Sequence, residues 1–282
     1  FLMTQDNGCW ISPALSRLNL MDVNTGKAID LSNKTLKSSH SFPGRLKQVF
    51  VTSDPYLIIT TTLVFANSRI ALQQFLIENP VNNEDIQLQA QWAGELFLEE
   101  ASLSERAEGV RIDIAEQTTV GLIAPLSSNT FDTQVNNNNT YTLTSPKTVL
   151  KSGNRWELNL AHLFCFSETA YAKQLSKLET IATNPTGILY ANAVRWNSSL
   201  ETVLSQLSSS FSDDSNKRVA VKCLQTLTTN WRSAAGFLEH DGLFPSYHYK
   251  WFHGFWSWDS WKHAVALAHY DVELAQNQIK AM

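Results

Sequence analysis

Short runs of alternating apolar and polar residues, punctuated by turn formers, fill the first 166 positions of the chain. Leu18, Leu20 and Asp22 lead into Asn24-Thr25-Gly26, and Ile29 and Leu31 follow, which predicts a hairpin with Gly26 free to take a positive φ. Asp22, Asn24 and Asp30 lack the twelve-residue ligand spacing of a calcium loop, so a plain turn is expected. Residues 48–51, 56–65 and 70–77 are rich in β-branched and aromatic side chains and are broken at Ser53-Asp54-Pro55 and Asn67-Ser68. Residues 86–92, 110–114, 118–123, 141–143 and 155–160 extend the series. Many closely spaced strands without a helical period predict an antiparallel β-sandwich.

The period changes after residue 166. Tyr171, Leu175, Leu178 and Ala182 recur at helical spacing, and Asn184-Pro185 ends that helix. A second helix carries Leu189, Ala193, Trp196, Leu200, Leu204 and Leu207 on one face, and residues 208–216 form a polar loop. A third places Ala220, Leu224, Leu227 and Trp231 together and ends near Gly236. Residues 259–269 predict a fourth, and Asp271 is placed to cap a fifth. The pattern thus predicts two domains, 1–166 and 167–282. The last helix has no Gly, Pro or polar closing signal at Met282, so further polypeptide is expected beyond it.

Composition narrows the function classes. The chain has 282 residues, 43% hydrophobic and 17% charged, with net charge −4, which offers no basic footprint for nucleic acid. No apolar run approaches the roughly 20 residues that span a bilayer, so no membrane partner is expected. The chain opens on Phe1 without a basic-then-apolar leader; a removed leader and a cut piece both fit. Cys9, Cys165 and Cys223 have no metal-ligand spacing and read as free, mostly buried thiols. Asn33-Lys34-Thr35, Asn138-Asn139-Thr140 and Asn197-Ser198-Ser199 are glycosylation-type triplets of the kind chance often supplies.

The candidate chemistry concentrates in residues 247–262, YHYKWFHGFWSWDSWK, where eight of sixteen residues are Phe, Tyr or Trp. Each ring offers a large apolar face and a polar edge. One carboxylate, Asp259, sits among them, with Lys262 three positions on. Indoles that stack on CH faces around an acid that binds hydroxyls suit a sugar. The same stretch also reads as an aromatic core cluster at a helix start, with Asp259 as the N-cap. Lys262 is spaced to pair with Asp259 across one turn, to reach a pocket, or to face solvent. There is no Gly-rich phosphate loop, HExxH, GxSxG or paired CxxC. The histidines at 240, 248, 253, 263 and 269 are scattered, so neither a metal nor a cofactor is expected.

Val219-Ala220-Val221-Lys222, Asn230-Trp231-Arg232, Trp251-Phe252 and Trp256-Ser257-Trp258-Asp259-Ser260-Trp261-Lys262 resemble the bacterial branch of glycoside hydrolase family 63, which also contains processing α-glucosidase I. Leu46-Lys47-Gln48-Val49-Phe50 and Thr61-Thr62-Leu63-Val64-Phe65 sit where that family's N-terminal strands fall. The resemblance implies an antiparallel super-sandwich followed by the first helices of an (α/α)6 barrel. It implies an inverting, exo-acting hydrolase whose partner is a disaccharide or oligosaccharide with terminal α-glucose. Phe255, Trp256, Trp258, Asp259 and Lys262 would be substrate-binding, with Trp251 and His253 candidates for the pocket mouth. The general acid and base would come from later helices, in the missing C-terminal part of the same protein, so no catalytic residue is expected within the chain; Asp259 is the fallback. A bacterial, periplasmic or secreted location is implied too. A non-catalytic carbohydrate-binding protein and a trehalase-like hydrolase are the alternatives.

Overall fold

The computed structural model describes residues 11–282 apart from Glu116, Gln117, Ser128, Phe237, 247–251 and His253, together with the backbone of Leu2–Met3 (β1) and Gly8–Cys9 (β2). The strands that follow are β3 (Ala14–Asp22), β4 (Lys27–Ala28), β5 (Leu36–Phe42), β6 (Arg45–Val51), β7 (Ile58–Asn67), β8 (Ile70–Glu78) and β9 (Ile86–Glu95). Then come β10 (Ala101–Arg106), β11 (Gly109–Ile114), β12 (Thr119–Pro125), β13 (Asp132–Asn136), β14 (Thr140–Thr144), β15 (Thr148–Leu150) and β16 (Arg155–Cys165). Five α-helices are described: α1 (Glu168–Thr183), α2 (Pro185–Ser205), α3 (Asp214–Thr229), α4 (Ser257–Leu267) and α5 (Val272–Lys280). A short pair, β17 (Trp231–Arg232) with β18 (Gly242–Leu243), separates α3 from α4.

The chain divides into two compact units. The first contains residues 11–41 and Leu46–Ile188; the second contains Leu189–Met282 with Phe42–Arg45 and the β1–β2 pair. In the first, one sheet has eight strands in the order β10-β11-β12-β16-β8-β7-β6-β5, and the other runs β13-β14-β9-β3-β4 with β15 also on β9. Neighbouring strands pair antiparallel. The sandwich expected from the sequence is therefore present.

Alternation explains the core. Ile86, Leu88, Ala90 and Trp92 of β9 turn inward while Gln87, Gln89 and Gln91 are only half-buried. Trp92 is fully buried, with the Phe75 ring of the opposite sheet 5.7 Å away and the Phe131 ring 5.5 Å away. Polar groups cross the same space: His162 Nε2 on β16 lies 3.2 Å from Ser16 Oγ on β3 and 3.4 Å from Gln73 Oε1 on β8. Burial lowers the His162 pKa from 6.5 to about 4, because the charged imidazolium loses its hydration there. Tyr141 donates to Leu15 O at 2.5 Å, and burial raises its pKa.

β12 is buried along nearly its whole length, as a strand covered on both faces must be. Helix α1 packs on β12 and β16 through Tyr171, Leu178 and Ile181. Ser167 caps that helix by accepting from Ala170 N at 3.1 Å. Arg111 on β11 donates to both Asp113 and Glu168, and its guanidinium lies 5.1 Å from the Tyr171 ring centre.

The turn at Asp22 is a plain one, as expected: its carboxylate accepts from Asn24 N at 2.9 Å and Thr25 Oγ1 at 2.8 Å, and Gly26 has φ +68. Cys165 is buried, but Cys223 is exposed, contrary to the expectation of mostly buried thiols. Two helix expectations are also corrected. The third helix stops at Thr229 rather than near Gly236, because Trp231 and Arg232 pair with Leu243 and Gly242. The fourth begins at Ser257 with Trp256 in the N-cap position, so Asp259 lies inside the first turn and is not the cap. Asp271 does cap α5, accepting from Leu274 N at 2.9 Å.

Candidate functional site

In the second unit, β18 is the floor on which α4 and α5 meet. Leu243, Leu267, Leu274 and Ala275 form a buried cluster, with Leu227, Trp231 and Tyr270 packed around it. Gln278 of α5 is fully buried; its amide donates to Leu243 O at 2.8 Å and its carbonyl accepts from Leu243 N. That double bond supplies ladder partners to a strand too short to find them in a sheet. Gly242 matters for its bareness: a Cβ there would lie 2.4 Å from Phe255 Cε1 and 2.9 Å from Gln278 Oε1. Phe255 is half-buried against this backbone and fixes the approach to α4.

Helical spacing then sorts the side chains of α4. Ser260, Ala264 and Leu267 face inward and are buried. Trp258, Trp261 and Lys262 share the outer face, where Trp258 is 60% and Trp261 51% exposed. Trp256 is 44% exposed and its ring centre lies 5.9 Å from that of Phe252. Large exposed indoles are uncommon without a use, since each removes about 150–250 Å² of contact area from water when covered.

Lys262 Nζ lies 4.9 Å from the Trp258 ring centre and 5.6 Å from that of Trp261. It is a cation on indole faces, and among the described residues it makes no ion pair with Asp259. Asp259 is half-buried and one turn from His263, whose pKa is lowered by burial and partly restored by Asp259 and by the Leu243 backbone. The acid's titratable neighbour is thus an imidazole, a relation the spacing of four residues could have revealed. Among the described residues, His263 Nδ1 and Ser260 Oγ are buried without a hydrogen-bond partner. Asp259 in the first turn also faces the partial positive charge of the α4 N-terminus.

Residues 247–251 and His253 lie outside the described residues, so the expectations for Trp251 and His253 have no structural counterpart here. Two cavities, about 430 and 420 Å³, lie in the first unit; Phe131, Glu108 and Glu179 line the first, and Asp113 and Glu168 the second. Neither is lined by α4. Among the described residues no three His, Cys, Asp or Glu side chains gather as a metal site, and no helix is long and apolar enough to cross a membrane.

No family model matches the chain. Among solved structures, it is similar to a candidate kojibiose phosphorylase from the human microbiome, with TM-score 0.57 and 11% identity over 77% of this chain and 31% of that one. It is also similar to a family 92 glycosyl hydrolase, ccman5, with TM-score 0.45 and 10% identity over 96% of this chain and 40% of that one. The first of these likenesses is one of fold. The chain spans 31% of the length of the phosphorylase-like structure it matches.

Proposed function

We propose that this chain is the N-terminal portion of an inverting, exo-acting α-glucosidase-type glycoside hydrolase, in which the start of α4 supplies part of a glucose-binding pocket. The observation that carries the reading is the exposure of Trp256 and Trp258 beside a half-buried carboxylate, Asp259. The shared fold with a candidate kojibiose phosphorylase supports a carbohydrate-active enzyme, while the (α/α)6 barrel rests on the family resemblance of the sequence. The assignment to family 63 rests on the sequence motifs.

In this reading the indoles receive the CH faces of the terminal glucose, and its hydroxyls donate to Asp259. Phe255 holds the loop against Gly242, so the rings are positioned before the sugar arrives. Lys262 covers one face of Trp258, so a sugar on that ring takes the opposite face or displaces the ammonium. Inversion requires one carboxyl that protonates the leaving oxygen and a second that activates water, roughly 6.5–9.5 Å apart. These two groups belong to barrel helices that follow α5, and this chain alone gives no turnover.

The test is Asp259→Ala in the complete enzyme, assayed on short α-glucosides with the released anomer identified. Loss of a charged hydrogen bond worth about 1.5–3 kcal/mol lowers kcat/KM by roughly tenfold to a hundredfold or more. Activity near wild type would sink the pocket assignment. The rings exposed on this chain by itself also favour a second reading, a carbohydrate-binding module without catalysis. Calorimetry of the chain with glucose and disaccharides separates the two, since only a self-sufficient module binds without the following helices. A trehalase-like hydrolase would be recognised by its substrate preference in the same panel.

A further inference from the structure

A different feature of the second unit points to a ligand of different chemistry. Arg195 and Trp196 are adjacent on α2, and the Arg195 guanidinium carbon lies 4.7 Å from the Trp196 ring centre and 4.9 Å from that of Trp231. Both indoles are themselves fixed. Trp231 Nε1 donates to Asp241 Oδ2 at 3.2 Å, and Asp241 Oδ1 accepts from Ala234 N at 2.7 Å. Trp196 lies so close to Gly44 that a Cβ there would fall 1.7 Å from its Nε1, and Gly44 has φ +63. Asn192, buried one turn before Trp196, donates to Gly44 O at 3.1 Å and holds that backbone in place.

The guanidinium is therefore set against two indoles, and its N–H donors lie in its own plane. Arg195 is exposed, and among the described residues no carboxylate pairs with it. The contrast is Arg111, whose donors are taken by Asp113 and Glu168. Asp241, the acid that touches the Trp231 edge, already has both oxygens engaged. A guanidinium held beside two anchored indoles, with no carboxylate on its donors, matches a bidentate oxyanion, and part of its ordering has been met before the ligand arrives.

We infer that Arg195 is an oxyanion-binding residue that receives a phosphate, sulfate or carboxylate group of a ligand. The net charge of −4 does not oppose this at physiological salt, where charges beyond about 8 Å are screened and the local cation decides. The inference stands apart from the α-glucosidase reading, because it uses none of the α4 residues.

The experiment follows the Arg195 Nε–Hε resonance of the ¹⁵N-labelled chain, assigned by its loss in Arg195→Lys, during separate titrations with inorganic phosphate, sulfate and acetate at constant ionic strength. A saturable shift is expected in the wild type, and its absence with all three anions overturns the inference. Binding to the Lys variant, followed on the backbone amides around residue 195, is expected to be severalfold weaker although the charge is kept. Equal affinity in that variant would mean a non-specific cation and would also overturn it. Arg195→Gln, checked for an otherwise unchanged amide spectrum, is expected to abolish the saturable response, and persistence of the response places the anion elsewhere. Preference for phosphate and sulfate, or for acetate, tells a tetrahedral from a planar group.

Discussion

Replacing His162 by Gln removes the titrating group between the two sheets and leaves an amide able to meet Ser16 and Gln73. In the folded chain the imidazole pKa is lowered to about 4 by burial, while an unfolded histidine titrates near 6.5. Between those values the unfolded chain binds a proton that the folded chain refuses, so stability falls as pH drops through this window. The difference of about 2.5 units, at 1.36 kcal/mol each, sets a loss of about 3 kcal/mol that is complete near pH 4. Below that the folded form also protonates and the contribution levels off. Urea unfolding followed by circular dichroism at several values from about pH 7 to about pH 4 gives the slope for each protein. The wild type should lose about 3 kcal/mol more than His162→Gln over that range. Parallel curves would refute the reasoning, since they would show that the imidazole meets no greater barrier to protonation than it does in the unfolded chain.

Two further changes probe the floor beneath α4. Gln278→Ala leaves the Leu243 N–H without its acceptor in a buried place, at about 1–3 kcal/mol, and should speed hydrogen exchange at the Leu243 amide; unchanged exchange would show the clamp to be dispensable. Gly242→Ala drives a methyl to within 2.4 Å of Phe255, so the ring must move, and any sugar affinity at the start of α4 should weaken while β18 keeps its pairing. Calorimetry with the complete enzyme reads that loss, and full affinity would free Phe255 from a positioning role.

The strands legible in the sequence were those with a buried face. β7, β8 and the start of β9 are bounded where Pro- and Asn-containing segments interrupt β-branched runs. Strands without a sequence signal include β5, β10 and β13, and each of these is a sheet edge. LKSSHSF and DTQVN are polar and largely exposed, so pairing with a neighbour, rather than side-chain pattern, makes them strands. Trp231 misled for a related reason. It follows Leu224 and Leu227 at helical spacing because it packs on the same cluster, yet its backbone belongs to a strand. On α2, the predicted stripe of Leu189, Ala193, Trp196, Leu200 and Leu204 is only half-buried, and Tyr190 and Val194 are exposed beside it.

At the candidate site, the density of rings was plain in the sequence, but the direction each takes was not. Composition could not tell that Phe255 lies against a bare glycine while Trp256 and Trp258 face outward. It left Lys262 with three open roles, of which a seat on the Trp258 and Trp261 faces was not one. The Asp259–His263 relation needed only a count of four along a helix. What hid it was the expectation that Asp259 stands at the cap, one step outside the spiral.

The grip of Arg111 on Glu168 has a consequence for anyone trimming the polypeptide. Glu168 lies past the final strand of the sandwich, so a product ended at Cys165 would lose this anchor along with the covering that Tyr171, Leu178 and Ile181 give to β12 and β16. A stop codon after Ile188, where the first unit ends, keeps α1 over β12 and β16 and the Arg111–Glu168 anchor in place.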